Sequence, residues 1–241
     1  MRAYHHISVS REGKHIIVGL LIILVPLFLL FAFSVVSGIE FSSALYDLSV
    51  SMWRLFVALV ISTVAAWILV VSLVRDKTSN NIVLSFFDVL QSLPTFTILP
   101  IAVHFLGNKA STIIFFLVIT MIWPIVFSVV SSLKQAERSF TEAVYISRIH
   151  GFNYIKYYLL PLTMPGIITG AIIGLGEGWE ALIATEIILQ AKTGLGPFFQ
   201  SFADNTYMTL LGVLVFLSII YTINKFIWLP LLEKSHQLVE A

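Results

Sequence analysis

Cysteine is absent from this 241-residue chain. That excludes a disulfide framework and thiol chemistry, and it removes the softest metal ligands. Charge is scarce too: Asp, Glu, Lys and Arg make up 11% of the residues, less than half of the about 25% that keeps a soluble domain solvated. The net charge of +1 gives no reason to expect a nucleic-acid partner, so the basic residues have to be read by position. No phosphate-cradling G-x4-G-K-[ST] occurs, and Gly13-Lys14-His15 is no substitute, so the chain itself is expected neither to bind nor to hydrolyse ATP. The histidines at 5, 6, 15, 104, 150 and 236 show no ligand spacing beyond the adjacent His5-His6 pair. No metal is assigned.

Apolar residues, in contrast, make up 58% of the chain, and they fall into runs near the ~20 residues that a helix needs to cross about 30 Å of hydrocarbon. Six such runs are read: His15 to Val36, Trp53 to Val74, Ile82 to Leu106, Ala110 to Leu133, Pro165 to Gln190 and Met208 to Leu232. The expected fold is therefore an all-α membrane protein with six transmembrane helices and lipid as its solvent. The first run is longer than the about 7–15 residues of a leader h-region and has no clean small-x-small site after it, so it reads as a span. Backbone groups cannot be left bare in hydrocarbon, which makes prolines inside spans informative. Pro94 and Pro100 lie in the third run and Pro124 in the fourth. Helix kinks and a gating or pathway role both remain open for them.

Orientation follows from the short loops. With the N-terminus inside, the cytoplasmic segments hold Arg2, Arg11, Lys14, Arg75, Lys77, Lys134, Arg138, Arg148, Lys156 and Lys234, and the outer segments hold only Arg54, Lys109 and Lys192. Both termini are thus expected in the cytoplasm of a cell (plasma or inner) membrane, with three short outer connections.

One connection differs from the others. Between the fourth and fifth runs, residues 133–164 are charged, cytoplasmic and helical in pattern. Ser139 or Thr141 can cap a helix start, Glu142 suits its positive end, and Gly151 is a natural stop. A second short helix is expected to end before Pro161. Phe152, Tyr154 and neighbouring aromatics would then form a face that lipid does not cover, which calls for a protein partner.

This segment resembles the cytoplasmic loop of type I ABC importer permeases, E-A-A-x3-G-x9-I-x-L-P. Glu142, Ala143, Leu160 and Pro161 fall at the family positions with the family's spacing. Val144 replaces the second alanine, Arg148 stands at the glycine position with Gly151 three residues later, and Tyr158 stands where isoleucine is usual. The likeness extends to Gln91 to Pro100, Gly107, Pro165-Gly166-Ile167, Gly174 to Glu186 and Gly194-Leu195-Gly196, and is nearest to the nitrate, sulfonate, taurine and bicarbonate branch. It implies residues 53–241 as the permease core, preceded by residues 1–52 as a cytoplasmic segment, first span and outer loop. Glu142, Ala143, Arg148, Gly151, Phe152, Tyr154, Leu160 and Pro161 would couple to separate ABC ATP-binding subunits. A second permease chain, identical or related, would complete the pathway, and an extracytoplasmic binding protein would deliver a small anion. The chain would be no enzyme and carry no cofactor, with ATP on the partner subunits.

Charges inside the spans are the remaining candidates, because each costs at least ~2.5 kcal/mol unless it faces a bundle interior or wet cavity. Counted from Pro165, Glu177 lies about 18 Å along the fifth run, Glu180 just beyond and Glu186 near the outer interface. Glu177 and Glu180 share a helix face beside Trp179. Asp88, Pro94, Glu177, Trp179 and Glu180 form the candidate pathway set, against the alternative of structural, protonated or paired groups, with Lys225 as a possible partner. The glycines 170, 174, 176 and 178 are read as helix packing positions. Two further classes are carried: the membrane component of an energy-coupling-factor importer, and an ion-coupled carrier or intramembrane enzyme using Asp88, Glu177 and Glu180.

Overall fold

A computed structural model of the chain describes residues 24–73, 85–92, 94–147 and 151–240, and the side chains of these except at 73, 135–147 and 236–240. All regular structure among the described residues is helical. We label the helices α1 (Leu24–Ser37), α2 (Phe41–Leu73), α3 (Ser85–Gln91), α4 (Thr95–Leu106), α5 (Ala110–Ser147), α6 (Phe152–Ile188), α7 (Leu195–Gln200), α8 (Thr206–Ile223) and α9 (Leu229–Glu240). Four helical stretches are long and apolar enough to cross a membrane, and a fifth is counted if the bent pair α3–α4 is one span. The first expected run is seen only from Leu24, as the shorter α1; its residues 15–23 lie outside the described ones.

The centre of the bundle is the antiparallel pair α5–α6, with α2 packed on α5. A glycine stripe sets how closely α5 and α6 approach. A Cβ on Gly170 would stand 2.5 Å from Ile125 Cα, and one on Gly174 would stand 3.1 Å from the Met121 carbonyl oxygen. At Gly178 it would meet the Met121 sulfur at 2.9 Å and Leu55 at 3.0 Å. Gly166, four residues before Gly170, extends the stripe against the Ser128 backbone. Gly176 faces the other way and has open space around it, so the packing role expected for it does not hold. Gly170→Val is expected to wedge the two helices apart at a cost of about 1–3 kcal/mol. A thermal midpoint equal to that of the unmutated chain in nanodiscs would contradict this packing.

Three boundaries differ from the sequence reading, each for a physical reason. Helix α2 begins at Phe41, twelve residues before the expected start at Trp53. Its first turns are not apolar throughout, but Ala44, Leu48, Ser51 and Leu55 are buried at helical spacing, and that stripe carries the helix. The third run is bent by 78° between α3 and α4, at Pro94, which has extended backbone (φ −61°, ψ 112°). Among the described residues, the expected pair of short helices between the fourth and fifth runs does not appear. Helix α5 continues through Ser139, Thr141 and Glu142 to Ser147, and α6 runs from Phe152 straight through Pro161.

Pro161 does not stop α6 because the π-turn Ile155–Leu159 precedes it and rearranges the carbonyls that the proline ring would strike. The same device recurs at the π-turn Asn224–Trp228 between α8 and α9, two residues before Pro230. Both stretches read x-Lys-x-x-x-Leu-Pro, at 155–161 and 224–230.

Length then decides where these helices go. The 38 residues of α5 extend about 57 Å, near twice the about 30 Å of hydrocarbon. The 37-residue α6 matches it, at about 55 Å. The apolar part of α5 is Ala110–Lys134, so its excess length falls at the Gly151 end of the pair.

Candidate functional site

The candidate residues separate into three places. At the hairpin tip, Gly151 has φ +66° and ψ −139°, a conformation that only glycine adopts without strain. It makes the turn into α6, where Phe152 is 74% exposed and Tyr157 64% exposed. Tyr154 packs against Tyr158 with ring centroids 5.1 Å apart, and the Lys156 ammonium lies 5.1 Å from the centre of the Tyr157 ring. Leu160 is exposed and Pro161 half-buried. The tip thus offers an aromatic surface that no described part of the chain covers. Glu142 and Ala143 lie on the last turns of α5, with side chains outside the described ones, and Arg148 is outside the described residues altogether.

The middle of α6 presents Ile173, Gly176, Glu177 and Glu180 along one uncovered face, which fits the 3.6-residue period. Trp179 does not join them. It is 7% exposed, points into the core, and meets the Phe216 ring edge-on at 5.0 Å. Asp88, Pro94 and Lys225 are exposed on other elements. Lys225 is not paired with a carboxylate: among the described residues the one ion pair is Arg54–Glu186.

That pair, at the opposite end from the tip, is the most built polar site of the chain. Glu186 is fully buried, and Arg54 donates to it from Nη1 at 2.6 Å. The Ser51 hydroxyl donates to the same carboxylate at 2.8 Å, and the Gly196 backbone N–H adds a bond of 2.8 Å. Arg54 Nη1 also donates to the Thr193 carbonyl at 2.9 Å. Leu195 N–H donates to Ser51 Oγ, and Gly194 N–H to Asp47, both at 2.8 Å. Two glycines make room for this: a Cβ on Gly194 would stand 2.6 Å from the Glu186 carboxylate oxygens, and one on Gly196 would stand 2.5 Å from Glu186 Cβ. The network ties the start of α2, the end of α6 and the entry to α7 into one body.

Beyond it, α7 and the following turn are held by a chain of rings. Phe33 of α1 packs on Phe198 and Phe202 at 5.6 and 5.3 Å, and Phe199 reaches Phe216 of α8 at 6.0 Å. Sequence reasoning placed Glu186 near this end but found neither Ser51 nor Arg54 as its partners. The spacing gives no signal, since Arg54 and Glu186 are 132 positions apart.

Two cavities border these sites. One, of about 390 Å³, lies between α2, α6 and the α8–α9 junction and is lined by apolar side chains including Phe56, Trp179 and Trp228, with Asn224 its only polar side chain. The other, of about 340 Å³, lies beside the buried ion pair and is lined by Arg54, Asn108, Lys109, Gln190, Lys192 and Thr193 among others. It brings together the three segments expected on the outer side.

The family described as binding-protein-dependent transport system inner membrane component matches residues 58–228. The chain is similar to the bicarbonate transport system permease protein CmpB of Synechococcus elongatus, at 25% identity over 157 residues, 64% of this chain and 56% of that relative. It is similar to the nitrate import permease protein NrtB of Synechocystis, at 32% over 112 residues, 46% of this chain and 40% of the relative. A third likeness is to the taurine transport system permease protein TauC of Escherichia coli, at 25% over 170 residues, 70% of this chain and 62% of the relative. The chain spans about half the length of the curated relatives it matches.

Proposed function

Because the chain belongs to the binding-protein-dependent transport system inner membrane components, the permeases of ABC importers, we propose that it forms the substrate pathway of an ATP-driven importer for a small anion. The observation that carries this reading is the α5–α6 hairpin: two helices about twice the length of a span, capped by exposed Phe152 and Tyr157. Closure of ATP-binding subunits gripping that tip would move α5 and α6 as levers, since the glycine stripe binds them to each other and α2 packs on α5. ATP stays on those partners. An extracytoplasmic binding protein would dock at the opposite end, and both termini would lie inside the cell.

The uncovered face of α6 supports a second permease chain, identical or related. Two carboxylates turned toward lipid are costly, whereas the same groups at a subunit seam face water and the partner's side chains. Two of the relatives are named for the anions bicarbonate and nitrate, which favours an anion as cargo, and the taurine for which the third is named carries a sulfonate beside its ammonium group. Carboxylates at Glu177 and Glu180 oppose an anion's passage when they are charged, so an anion importer is expected to run faster when both are replaced by glutamine. A loss of uptake in Glu177→Gln/Glu180→Gln would instead mark the cargo as cationic or the carboxylates as indispensable ligands.

The class itself is tested by purifying the full chain from its native membrane in mild detergent. ATPase activity should co-purify with it, and the chain stripped of that partner should transport nothing in proteoliposomes. Transport or turnover by the chain alone would overturn the reading.

A further inference from the structure

We infer that the cavity of about 340 Å³ beside the buried ion pair is a binding site for a small planar oxyanion, held by Arg54, Lys109 and Lys192 at the outer mouth of the pathway. The inference rests on the permease reading for its place in transport, but its chemistry stands on the site alone. Three cationic side chains line this space and no carboxylate does. Neither lysine is engaged in an ion pair with any described carboxylate, and both residues are exposed.

Arg54 supplies the sharper argument. The residue is only 9% exposed, and its bonds to Glu186 and the Thr193 carbonyl both leave from Nη1. A guanidinium carries five N–H donors in a planar fork. Those on Nε and Nη2 have no hydrogen-bond partner among the described residues. Buried donors without an acceptor are costly, and a planar oxyanion accepts two parallel N–H bonds from such a fork.

The first residue of α5, Ala110, also lines the space, so the positive end of a 38-residue helix adds to the field. The Asn108 and Gln190 side chains add neutral polar groups. A water takes up ~30 Å³ of liquid, so the space holds a small oxyanion together with several of its waters. The position also answers the repulsion by Glu177 and Glu180: an anion concentrated at the mouth enters the acidic stretch from a locally raised concentration.

The test uses the full chain in nanodiscs of uncharged lipid, with nitrate or bicarbonate exchanged for chloride at constant ionic strength, so that general screening is held fixed. The thermal midpoint should rise saturably with nitrate or bicarbonate, by linkage of binding to folding. In Lys109→Gln/Lys192→Gln the same rise should need about tenfold more anion or vanish, with the midpoint in chloride unchanged; Lys109→Arg/Lys192→Arg should keep it. An equal response in the glutamine variant overturns the site. So does a chloride-like response of the unmutated chain, even if the lysines then prove necessary for docking an acidic face of the delivering protein. Failure here with ATPase activity still co-purifying removes the oxyanion site and leaves the permease. Anion binding without any associated ATPase removes the permease reading and leaves the site.

Discussion

Arg54→Ala is expected to destabilise the chain by about 3–5 kcal/mol, the range for removing one partner of a buried ion pair. The substitution leaves a fully buried carboxylate with only the Ser51 hydroxyl and the Gly196 N–H to satisfy it. It also frees the Thr193 carbonyl that Arg54 holds. The damage should be local at first: the Thr193–Gly196 segment detaches, and with it α7 loses its fixed position against Phe33. Removing both charges, as Arg54→Met/Glu186→Gln, should restore part of the loss, because no uncompensated charge then remains. The gap between the double change and the sum of the single ones measures the coupling. Gly196→Ala reaches the same network from the other side, through a Cβ that would also stand 3.0 Å from the Ile187 nitrogen. Thermal midpoints in nanodiscs decide the matter, and an Arg54→Ala midpoint equal to the unmutated one would mean that the network is not a structural anchor.

The anchor was half legible in the sequence. Glu186 announces itself as a carboxylate in an apolar run, and Gly194-Leu195-Gly196 entered only as part of the family likeness, but nothing local joins them to Arg54, which reads as one more positive residue in an outer loop. Pairings over such separations are set by how helices pack, and packing follows from the sum of many weak contacts. The apolar periodicity of α2 was readable back to Ala44, yet a hydropathy window is blind to a stripe interrupted by polar residues. Pro161 was misjudged for a different reason. The rule that proline ends a helix assumes regular α geometry before it, and the π-turn at Ile155–Leu159 removes that assumption. The face shared by Glu177 and Glu180 was legible because a helix repeats by fixed angles. Trp179 failed the same arithmetic: two residues on, it points away.

Phe152→Ala is expected to leave the fold intact and to break transport. The side chain is 74% exposed at the hairpin tip, so its removal should change stability by no more than about 0.5 kcal/mol. An aromatic anchor seated in a partner's cleft, by contrast, contributes about 2 kcal/mol or more to the contact, a loss of about thirtyfold or more in affinity for the ATP-binding subunit. Gly151→Ala separates position from contact. Its Cβ would have nothing within 4 Å, so the change adds no clash and removes no side chain, but φ +66° then carries a strain of about 1–3 kcal/mol. The turn should relieve that strain by rotating, carrying Phe152 off its docking direction. Phe152→Ala should therefore insert and melt like the unmutated chain, and Gly151→Ala should insert and lose no more stability than that strain, while both lose co-purified ATPase activity and ATP-dependent uptake. If Phe152→Ala retains the partner and full uptake, the tip is not the coupling surface, and the extra length of α5 and α6 needs another explanation. If Gly151→Ala alone is silent, the partner tolerates a rotated tip, and the coupling resides in the aromatic contact and not in the angle at which the hairpin presents it.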